Sequence, residues 1–298
     1  MISFDYKRLH VVTEQRVVTA VIDNPPLNLL TPDLLDELDQ LTTDVAADAD
    51  ALVLVLKSAD SDIFMTHAQF AGLYDLQPPA VPTSVDEVEL NRVQVICERL
   101  RTMNKVTIAQ VEGRVAGGSA AMVMACDMRF GSIGRAVFNT MSVPVGSVPG
   151  GGASQYMPRL VGYSRAMELI LGGLDLDAAT AERWGYLNRA LDPQQIEPFV
   201  TTTARRIAAC PQEAVRATKE VIAMSDGPIG AGLREEAFRF RRLFASSESR
   251  AYVSAFLELG GETREGEQHL ERLLGEVLER MRRGAPDEST PDDAGTTQ

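Results

Sequence analysis

A run of small residues, Gly113 to Ala121, most constrains what this chain can fold into. It follows a β-branched run at Val106–Val111, which is typical of a strand, and it leads into a small-residue helix that reaches Cys126. Glycines between a strand and a helix let the backbone approach a ligand closely, and the first N–H groups of the helix have no intrahelical partner. We therefore expect this junction to form half of an oxyanion hole.

The bulk composition indicates an acidic globular protein. The chain has 298 residues, 45% of them hydrophobic, with a formal net charge of -13 and a pI of about 4.8. This length allows a large buried core, and the acidic balance argues against nucleic acid as a partner, because phosphate backbones need a basic face. Part of the charge lies after Gly284, in a segment from Ala285 to Gln298 whose composition predicts disorder.

Cysteine use and hydropathy bear on the compartment. Cys97, Cys126 and Cys210 are far apart and odd in number, which favours free thiols in a reducing environment. The first residues contain no apolar signal-peptide core, and no run approaches the roughly 18 apolar residues of a membrane span. These features predict a cytoplasmic protein without membrane contact.

The apolar periodicity predicts strand–helix alternation early in the chain and helices late, which is an α/β class with a helical C-terminal region. Strands are expected at Leu9–Glu14, Val17–Asp23, Ala51–Lys57, Val106–Val111, Met128–Phe130 and Ala136–Phe138. Helices are expected from Pro32 (capped by Thr31) and over Glu87–Met103, Ser154–Leu160, Ser164–Leu171, Ala178–Gly185, Ile196–Ala209, Pro211–Met224, Arg234–Phe244, Ser249–Leu259 and Arg264–Arg283.

Several segments, in consistent order over roughly residues 8–260, resemble motifs of the crotonase (enoyl-CoA hydratase/isomerase) superfamily. Phe64–Phe70 is similar to F-S-A-G-A-D-I, Val111–Asp127 to V-N-G-x-x-x-G-G-G-x-E-L-A-x-x-C-D, and Val145–Gly152 to L-G-x-x-P-G-x-G-G. Each motif alone is weak, but together they are specific for the fold.

The resemblance implies a spiral of ββα turns followed by a helical region that drives trimers or dimers of trimers. On this basis we expect a core with an acyl-thioester site at 1–200, a helical trimerisation region at 201–260, an additional helix at 261–284 and an acidic tail at 285–298. The apolar stripe of that additional helix, from Leu270 to Met281, is expected to pack on a neighbouring subunit.

The resemblance also implies a ligand, an acyl thioester of coenzyme A, with no separate cofactor and no metal. Its carbonyl oxygen would lie between the N–H groups of Ala68 and Gly118. The nucleotide carrier would contact Pro26, Leu27, Leu29 and Thr66. A basic residue common near this loop in the family is absent, which leaves room for another carrier or a free carbonyl substrate.

Two departures from the family pattern concern the acid–base groups. Hydration of an enoyl thioester needs a base to activate water and an acid to protonate the α-carbon. The two glutamates that supply them in the hydratases fall on Ala121 and Ser142, and a shift of one residue rescues neither. Ordinary hydration, and isomerisation that uses the second carboxylate, are therefore not expected.

Two other side chains could take part in chemistry. His67 adjoins the first oxyanion donor, and its ordinary pKa range suits a general base, but it could equally be structural or orient the ligand. Ser142 could hold a water or a polar substrate group, or simply line an apolar pocket.

Three functions remain open from the sequence. The first is an enzyme that stabilises an enolate, as in decarboxylation of a malonyl-type thioester or C–C cleavage of a β-dicarbonyl. The second is a non-catalytic acyl-CoA binder or regulatory homologue. The third is a biosynthetic hydrolase or cyclase acting on a free ketone.

Overall fold

The computed structural model describes residues 6–69, 89–145, 147–227, 246–260 and 270–284, which fall into two compact units dividing after Ala208. The strands are β1 (Leu9–Glu14), β2 (Val17–Ile22), β3 (Val53–Ser58), β4 (Ile63–Met65), β5 (Val106–Val111), β6 (Arg114–Ala116), β7 (Met128–Ser132), β8 (Val137–Asn139), β9 (Leu176–Asp177) and β10 (Arg189–Leu191). The helices of the first unit are α1 (Pro32–Ala47), α2 (Arg92–Thr102), α3 (Gly118–Ala125), α4 (Ala153–Val161), α5 (Tyr163–Gly172), α6 (Ala178–Trp184) and α7 (Ile196–Ala208). Those of the second unit are α8 (Gln212–Ala223), α9 (Ser247–Glu258) and α10 (Leu270–Gly284).

The first unit is a spiral of ββα turns built on two sheets. One sheet has the order β1-β2-β3-β5-β7-β10 and the other β4-β6-β8-β9. Successive turns β3-β4-α2, β5-β6-α3 and β7-β8-α4 each give one strand to each sheet. All neighbours are parallel except the pairs β1–β2 and β8–β9. This is the α/β architecture expected from the sequence.

The core lies where the sequence is continuously apolar. Strand β5 is buried at every position and β3 at its first four, as expected for parallel strands covered on both faces. Helix α1 begins after Thr31, whose side chain accepts a hydrogen bond from the Leu34 N–H as an N-cap should. Its buried face includes Leu34, Leu38 and Leu41.

The structure corrects several element boundaries. The segment after β5 is not one continuous glycine turn, because β6 forms at Arg114–Ala116 before α3 begins. Helix α2 begins after Asn91, which makes a capping box with Gln94, rather than at Glu87. The short strands β4, β9 and β10 were not expected from periodicity.

The second unit contains the contacting helices α9 and α10, and α10 carries the predicted apolar stripe. Helix α10 buries Leu273 and Val277, while Leu274 is 40% exposed, and Arg280 of α10 forms an ion pair with Glu258 of α9. The expected helix at Arg234–Phe244, residues 264–269 of the expected last helix and the tail at 285–298 lie outside the described residues. In the parts of the chain that the structure covers, no helix has the length and apolar character needed to cross a membrane.

Candidate active site

The second sheet brings three chain segments to one edge. Strands β4, β6 and β8 are parallel neighbours, and they end at Met65, Ala116 and Asn139. The residues after each strand therefore emerge side by side, as they do at the carboxyl edge of other parallel sheets. These are the segments 66–68, 117–118 and 140–142, which contain four residues proposed from the sequence for catalysis.

The first of these segments presents the Ala68 N–H. Leu30 pairs with Ala68 in a parallel bridge, in which the Leu30 N–H donates to the His67 carbonyl (3.1 Å) and the Gln69 N–H donates to the Leu30 carbonyl (3.3 Å). Because amide directions alternate along an extended chain, the Ala68 N–H is turned to the opposite side. It has no hydrogen-bond partner among the residues that the structure describes.

The second segment presents the Gly118 N–H at the first position of α3. Gly117 has a φ of 63°, which L side chains rarely adopt, and its N–H donates to the Asn139 carbonyl at 3.0 Å. The N–H of Gly118 makes no hydrogen bond within the described ranges, as expected for the first turn of a helix. Both glycines are partly exposed, so a ligand can reach them.

The two donor segments lie in direct contact. A methyl group built on Gly117 would lie 2.7 Å from the His67 Cβ, so only glycine allows this approach. The buried Ser119 hydroxyl donates to the Thr66 carbonyl. The two segments therefore lie side by side, and each presents a backbone N–H without a partner in the described ranges, which is one requirement for an oxyanion hole.

Ala121 occupies the position of the first family glutamate and is closely packed. Ala121 is fully buried, and a methyl group built on Gly151 would lie 2.9 Å from the Ala121 Cβ and 3.5 Å from the Gly118 Cα. The backbone of Gly151 thus covers the Ala121 methyl group. This position supplies neither a carboxylate nor space for one.

The position of the second glutamate holds a short turn. The Ser142 N–H and hydroxyl both lie within hydrogen-bond distance of the Thr140 carbonyl, at 2.5 and 2.9 Å. The Ser142 hydroxyl is therefore used within its own turn. The neighbouring Met141, with a φ of 41°, places its sulfur 3.8 Å from a methyl group built on Gly117.

His67 is half-buried and tied to the main chain. Its Nδ1 lies 2.8 Å from the Ala68 carbonyl oxygen. Since a carbonyl oxygen only accepts, this contact requires a proton on Nδ1, and in the neutral ring Nε2 then carries the lone pair. The ring is thus oriented beside the first donor in a tautomer compatible with a general base.

The expected carrier-binding residues lie together in one tightly held loop. The Thr66 hydroxyl donates to the Leu27 carbonyl at 2.8 Å, and the buried Asn24 side chain donates to the Leu29 carbonyl at 2.9 Å. Pro26 and Leu27 are exposed at the surface of this loop. The structure therefore brings Pro26, Leu27, Leu29 and Thr66 close together, with Pro26 and Leu27 exposed and Thr66 buried.

Four residues that pack around Gly117, Gly118 and Ala121 were not recognised as site residues in the sequence. Met141 and Gly151 are described above, and Leu30 and Val93 both lie within 3.5 Å of a methyl group built on Gly118. Leu30 and Val93 fit the apolar pattern of core positions, so periodicity gave no sign of a site. Gly151 was part of a recognised motif, but its contact with Ala121 depends on tertiary packing.

A second concave region, between the six-stranded sheet and α7, has a different character. Its polar groups are paired with one another: Lys57 with Glu197, and the Gln110 amide with Glu197 at 2.7 Å. Arg205 and Glu14 form a further ion pair in this lining at 3.6 Å, beside valine and threonine side chains. Within the described ranges no group of three or more His, Cys, Asp or Glu side chains could hold a metal ion.

Comparison with known proteins places this chain in a family. The sequence model described as Enoyl-CoA hydratase/isomerase matches residues 13–264. A crotonyl-CoA hydratase of Syntrophomonas wolfei is 29% identical over 258 residues, 85% of this chain and 96% of that protein. A short-chain-enoyl-CoA hydratase of Clostridium acetobutylicum is 27% identical, over 82% and 92% of the two chains. The structure of Pseudomonas aeruginosa DspI is 28% identical, with a TM-score of 0.76 over 86% and 96% of the two chains. The chain belongs to the enoyl-CoA hydratase/isomerase family of the crotonase superfamily.

Proposed function

We propose that this protein binds an acyl thioester and stabilises its enolate between the N–H groups of Ala68 and Gly118, without hydrating an enoyl substrate. One observation carries the proposal: two adjacent, unpaired backbone donors lie next to a fully buried Ala121 that Gly151 covers. The donors can polarise a carbonyl group, whereas positions 121 and 142 lack the carboxylates that hydration needs.

Decarboxylation of a malonyl-type thioester can use the two N–H donors without a carboxylate base. The bond between the α-carbon and the carboxylate breaks, carbon dioxide leaves, and the electron pair forms an enolate whose oxygen accepts from both N–H groups. The α-carbon then takes up one proton. Each donor of such a hole contributes roughly 3–4 kcal/mol to stabilising the transition state, and no carboxylate base is required. In the cleavage of a β-dicarbonyl, water adds to the distal carbonyl group, the C–C bond breaks, that acyl group leaves as a carboxylic acid, and the same enolate remains to be protonated.

The proton has a plausible source beside the hole. The Ala68 carbonyl holds the Nδ1–H of His67, and when the ring takes up a second proton on Nε2 the imidazolium can deliver that proton to the α-carbon. A bound water is the alternative donor. In either case the step after bond cleavage needs one proton transfer and no second side chain.

The carrier we propose is coenzyme A. Family membership supports it, as do the names of the two hydratases, one of them specified for crotonyl-CoA. The exposed loop of Pro26 and Leu27, tied to Thr66, supplies the surface. We also propose that the chain assembles as a trimer or a dimer of trimers.

Turnover of a thioester panel tests the reaction. We expect the purified protein to release carbon dioxide from malonyl- or methylmalonyl-CoA, or to cleave a β-ketoacyl-CoA, and to hydrate crotonyl-CoA at least about 1,000-fold more slowly than a hydratase with both carboxylates. Rapid hydration of crotonyl-CoA would overturn the proposal.

The role of His67 is tested separately. His67→Ala should lower the rate if the imidazole delivers the proton. His10→Ala is the matched control, because His10 is an exposed histidine on β1 that pairs with Asp23, the residue after β2. Full activity of His67→Ala would remove this side chain from the mechanism and leave water as the donor.

The loss of both carboxylates also favours a second function, a non-catalytic acyl-CoA binder. Titration calorimetry separates the two: tight binding of acyl-CoA esters with no turnover across the panel would favour the binder. Activity on a free ketone with no affinity for coenzyme A esters would point instead to the hydrolase or cyclase alternative.

A further inference from the structure

We propose that Ser119 is a positioning residue that couples the carrier-binding loop to the oxyanion hole through Thr66. The inference rests on the proposed function and adds to it a physical link between the two parts of the site. It concerns how the donors are held, and not which atoms react.

The first link joins the two donor segments. Ser119 is fully buried, and its hydroxyl donates to the Thr66 carbonyl. Ser119 directly follows Gly118, and Thr66 precedes Ala68 by two residues. One hydrogen bond therefore bridges the backbone on either side of the hole and restrains the distance between the two N–H donors.

The second link runs from Thr66 to the exposed loop. The Thr66 hydroxyl donates to the Leu27 carbonyl at 2.8 Å, and the Thr66 N–H donates to the Asn28 carbonyl at 3.1 Å. Leu27 itself is 45% exposed, while Thr66 and Asn28 are buried. A buried path of hydrogen bonds thus leads from the surface where a carrier would lie to the first turn of α3.

The functional consequence follows from the geometry that a hole requires. Donors stabilise an oxyanion when they lie about 3 Å from it, and small displacements lose much of the effect. A carrier that packs on Leu27 restrains this loop, and through Thr66 and Ser119 it restrains the Gly118 N–H. Binding energy from a remote part of the substrate is then used at the reacting carbonyl, where it raises kcat.

The link depends on the serine side chain, because the hydroxyl is the donor. The motif that this segment resembles has glycine at the position of Ser119, and glycine has no side chain to donate. Ser119→Gly therefore removes the bond with a residue that fits the motif.

The infrared stretching frequency of the carbonyl group in a bound saturated thioester measures how strongly the two N–H donors polarise that carbonyl. Butyryl-CoA labelled with ¹³C at the carbonyl carries no carboxylate to lose and no double bond to hydrate, so it reports polarisation without turnover. We expect a stretch shifted to lower frequency on the wild-type protein, and a smaller shift on Ser119→Ala and Ser119→Gly. With the reactive substrate, kcat should fall about ten-fold with little change in KM.

Ser132→Ala is the matched control for the loss of a buried serine hydroxyl. Ser132 is also fully buried, on β7, but its hydroxyl has no partner among the described residues. This variant should keep the wild-type carbonyl frequency. An equal change in Ser132→Ala and Ser119→Ala would indicate a general packing effect and overturn the inference.

The coupling itself is tested with a truncated carrier. On the wild-type protein, butyryl-CoA should show a larger carbonyl shift than the same acyl group on N-acetylcysteamine, which cannot reach Leu27. This difference should disappear in Ser119→Ala, and also in Thr66→Val, which cuts the second link and serves if the first variant does not fold. Equal shifts for the two esters on the wild-type protein would overturn the coupling.

The outcomes separate this inference from the proposed reaction. A lowered frequency that depends on Ser119, without decarboxylation or cleavage of any substrate, would reject the reaction and keep the link. Turnover that is unchanged in Ser119→Ala, with an unchanged carbonyl frequency, would reject the link and keep the reaction. Absence of any thioester binding would reject both.

Discussion

At the scale of single residues, Ala121 shows why the missing carboxylate cannot be restored by one substitution. The methyl group is fully buried and the Gly151 backbone covers it. A glutamate here would need both new volume and a partner for its charge. The loss is therefore built into the packing around α3.

Ala121→Glu is expected to destabilise the protein by about 3–5 kcal/mol, because it buries an unpaired charge in a filled space. Urea unfolding measures the change. Ala179→Glu, at an exposed position in the first turn of α6, is the matched control and should change the free energy of unfolding by less than about 0.5 kcal/mol. A stable Ala121→Glu protein that hydrates crotonyl-CoA would contradict both the packing argument and the proposed function.

Gly117 contributes to the same site because it has no side chain. It combines a φ of 63° with the close approach of His67, whereas Gly134 has a φ of 76° and open space around it. An alanine at either position adopts an unfavourable backbone conformation, at a cost of about 1–2 kcal/mol. Only at position 117 does the new methyl group also meet another chain segment.

Gly117→Ala should therefore lose more stability than Gly134→Ala, by about 1–3 kcal/mol, and should also weaken thioester binding. Chemical denaturation and calorimetry with butyryl-CoA measure the two effects. Equal destabilisation by the two substitutions, with thioester affinity retained, would show that His67 and Gly117 can separate without harm to the hole.

At the scale of elements, α2 and α4 are joined by an acidic side chain behind the site. Glu98 of α2 accepts hydrogen bonds from Arg101 (2.7 Å) and from the Tyr156 hydroxyl of α4 (2.7 Å). Tyr156 in turn lies against Gly152, next to the glycine that covers Ala121. The hydrogen bonds from Arg101 lower the pKa of Glu98 below its ordinary value of 4.5 in spite of partial burial, and the Tyr156 hydroxyl adds to this effect.

These hydrogen bonds to Glu98 predict that part of the free energy of unfolding is lost in acid. Because the pKa of Glu98 is lower in the folded protein, its stabilising contribution is complete above about pH 4.5 and is lost as the pH falls through the folded-state value. The side chain is 37% exposed, so solvent screening limits the contribution to about 1 kcal/mol. The free energies of urea unfolding of wild type and Glu98→Gln should differ most at pH 6, and the difference should shrink as the pH falls below about 4.5. A difference that persists unchanged at pH 3 would refute this assignment.

The helices and strands also show how much of the fold could be predicted from the sequence. The bounds of β5 and the start of α1 after Thr31 were predicted as the structure has them, because local pattern and burial agree in these segments. Strands β4 and β6 were missed, since three residues are too few to show a period and their pairing depends on neighbours distant in the chain. The same strands carry the site, so its donors were found through motif resemblance and not through periodicity.

At the scale of the molecule, the spiral explains why residues far apart in sequence meet. Each turn adds one strand to the second sheet, so the ends of β4, β6 and β8 collect segments about 50 and 25 residues apart at one edge. Other residues that surround the site, such as Val93 and Gly151, come from the loops and helices between these strands. Their identity follows from the packing of successive turns, which residue patterns do not encode.

The second unit carries the last prediction, which concerns assembly. Helix α10 buries Leu273 and Val277, and Leu274 remains 40% exposed; on α9, Val253 and Leu257 are 39% and 46% exposed. Part of the apolar stripe is therefore buried within the chain and part stays exposed, where we expect a neighbouring subunit to pack. Removing α10 would uncover further apolar surface on α9 and take away this contact.

Truncation after Gly260 is expected to change the oligomeric state, from the mass of three or six chains to a smaller or heterogeneous species. Light scattering coupled to size-exclusion chromatography measures the mass. Truncation after Gly284, which removes only the acidic segment of residues 285–298, is the control and should leave the number of chains unchanged, because that segment lacks the apolar side chains that a stable contact needs. An unchanged trimer or hexamer mass after the longer truncation would show that α10 stabilises its own chain only, and that assembly depends on other surfaces.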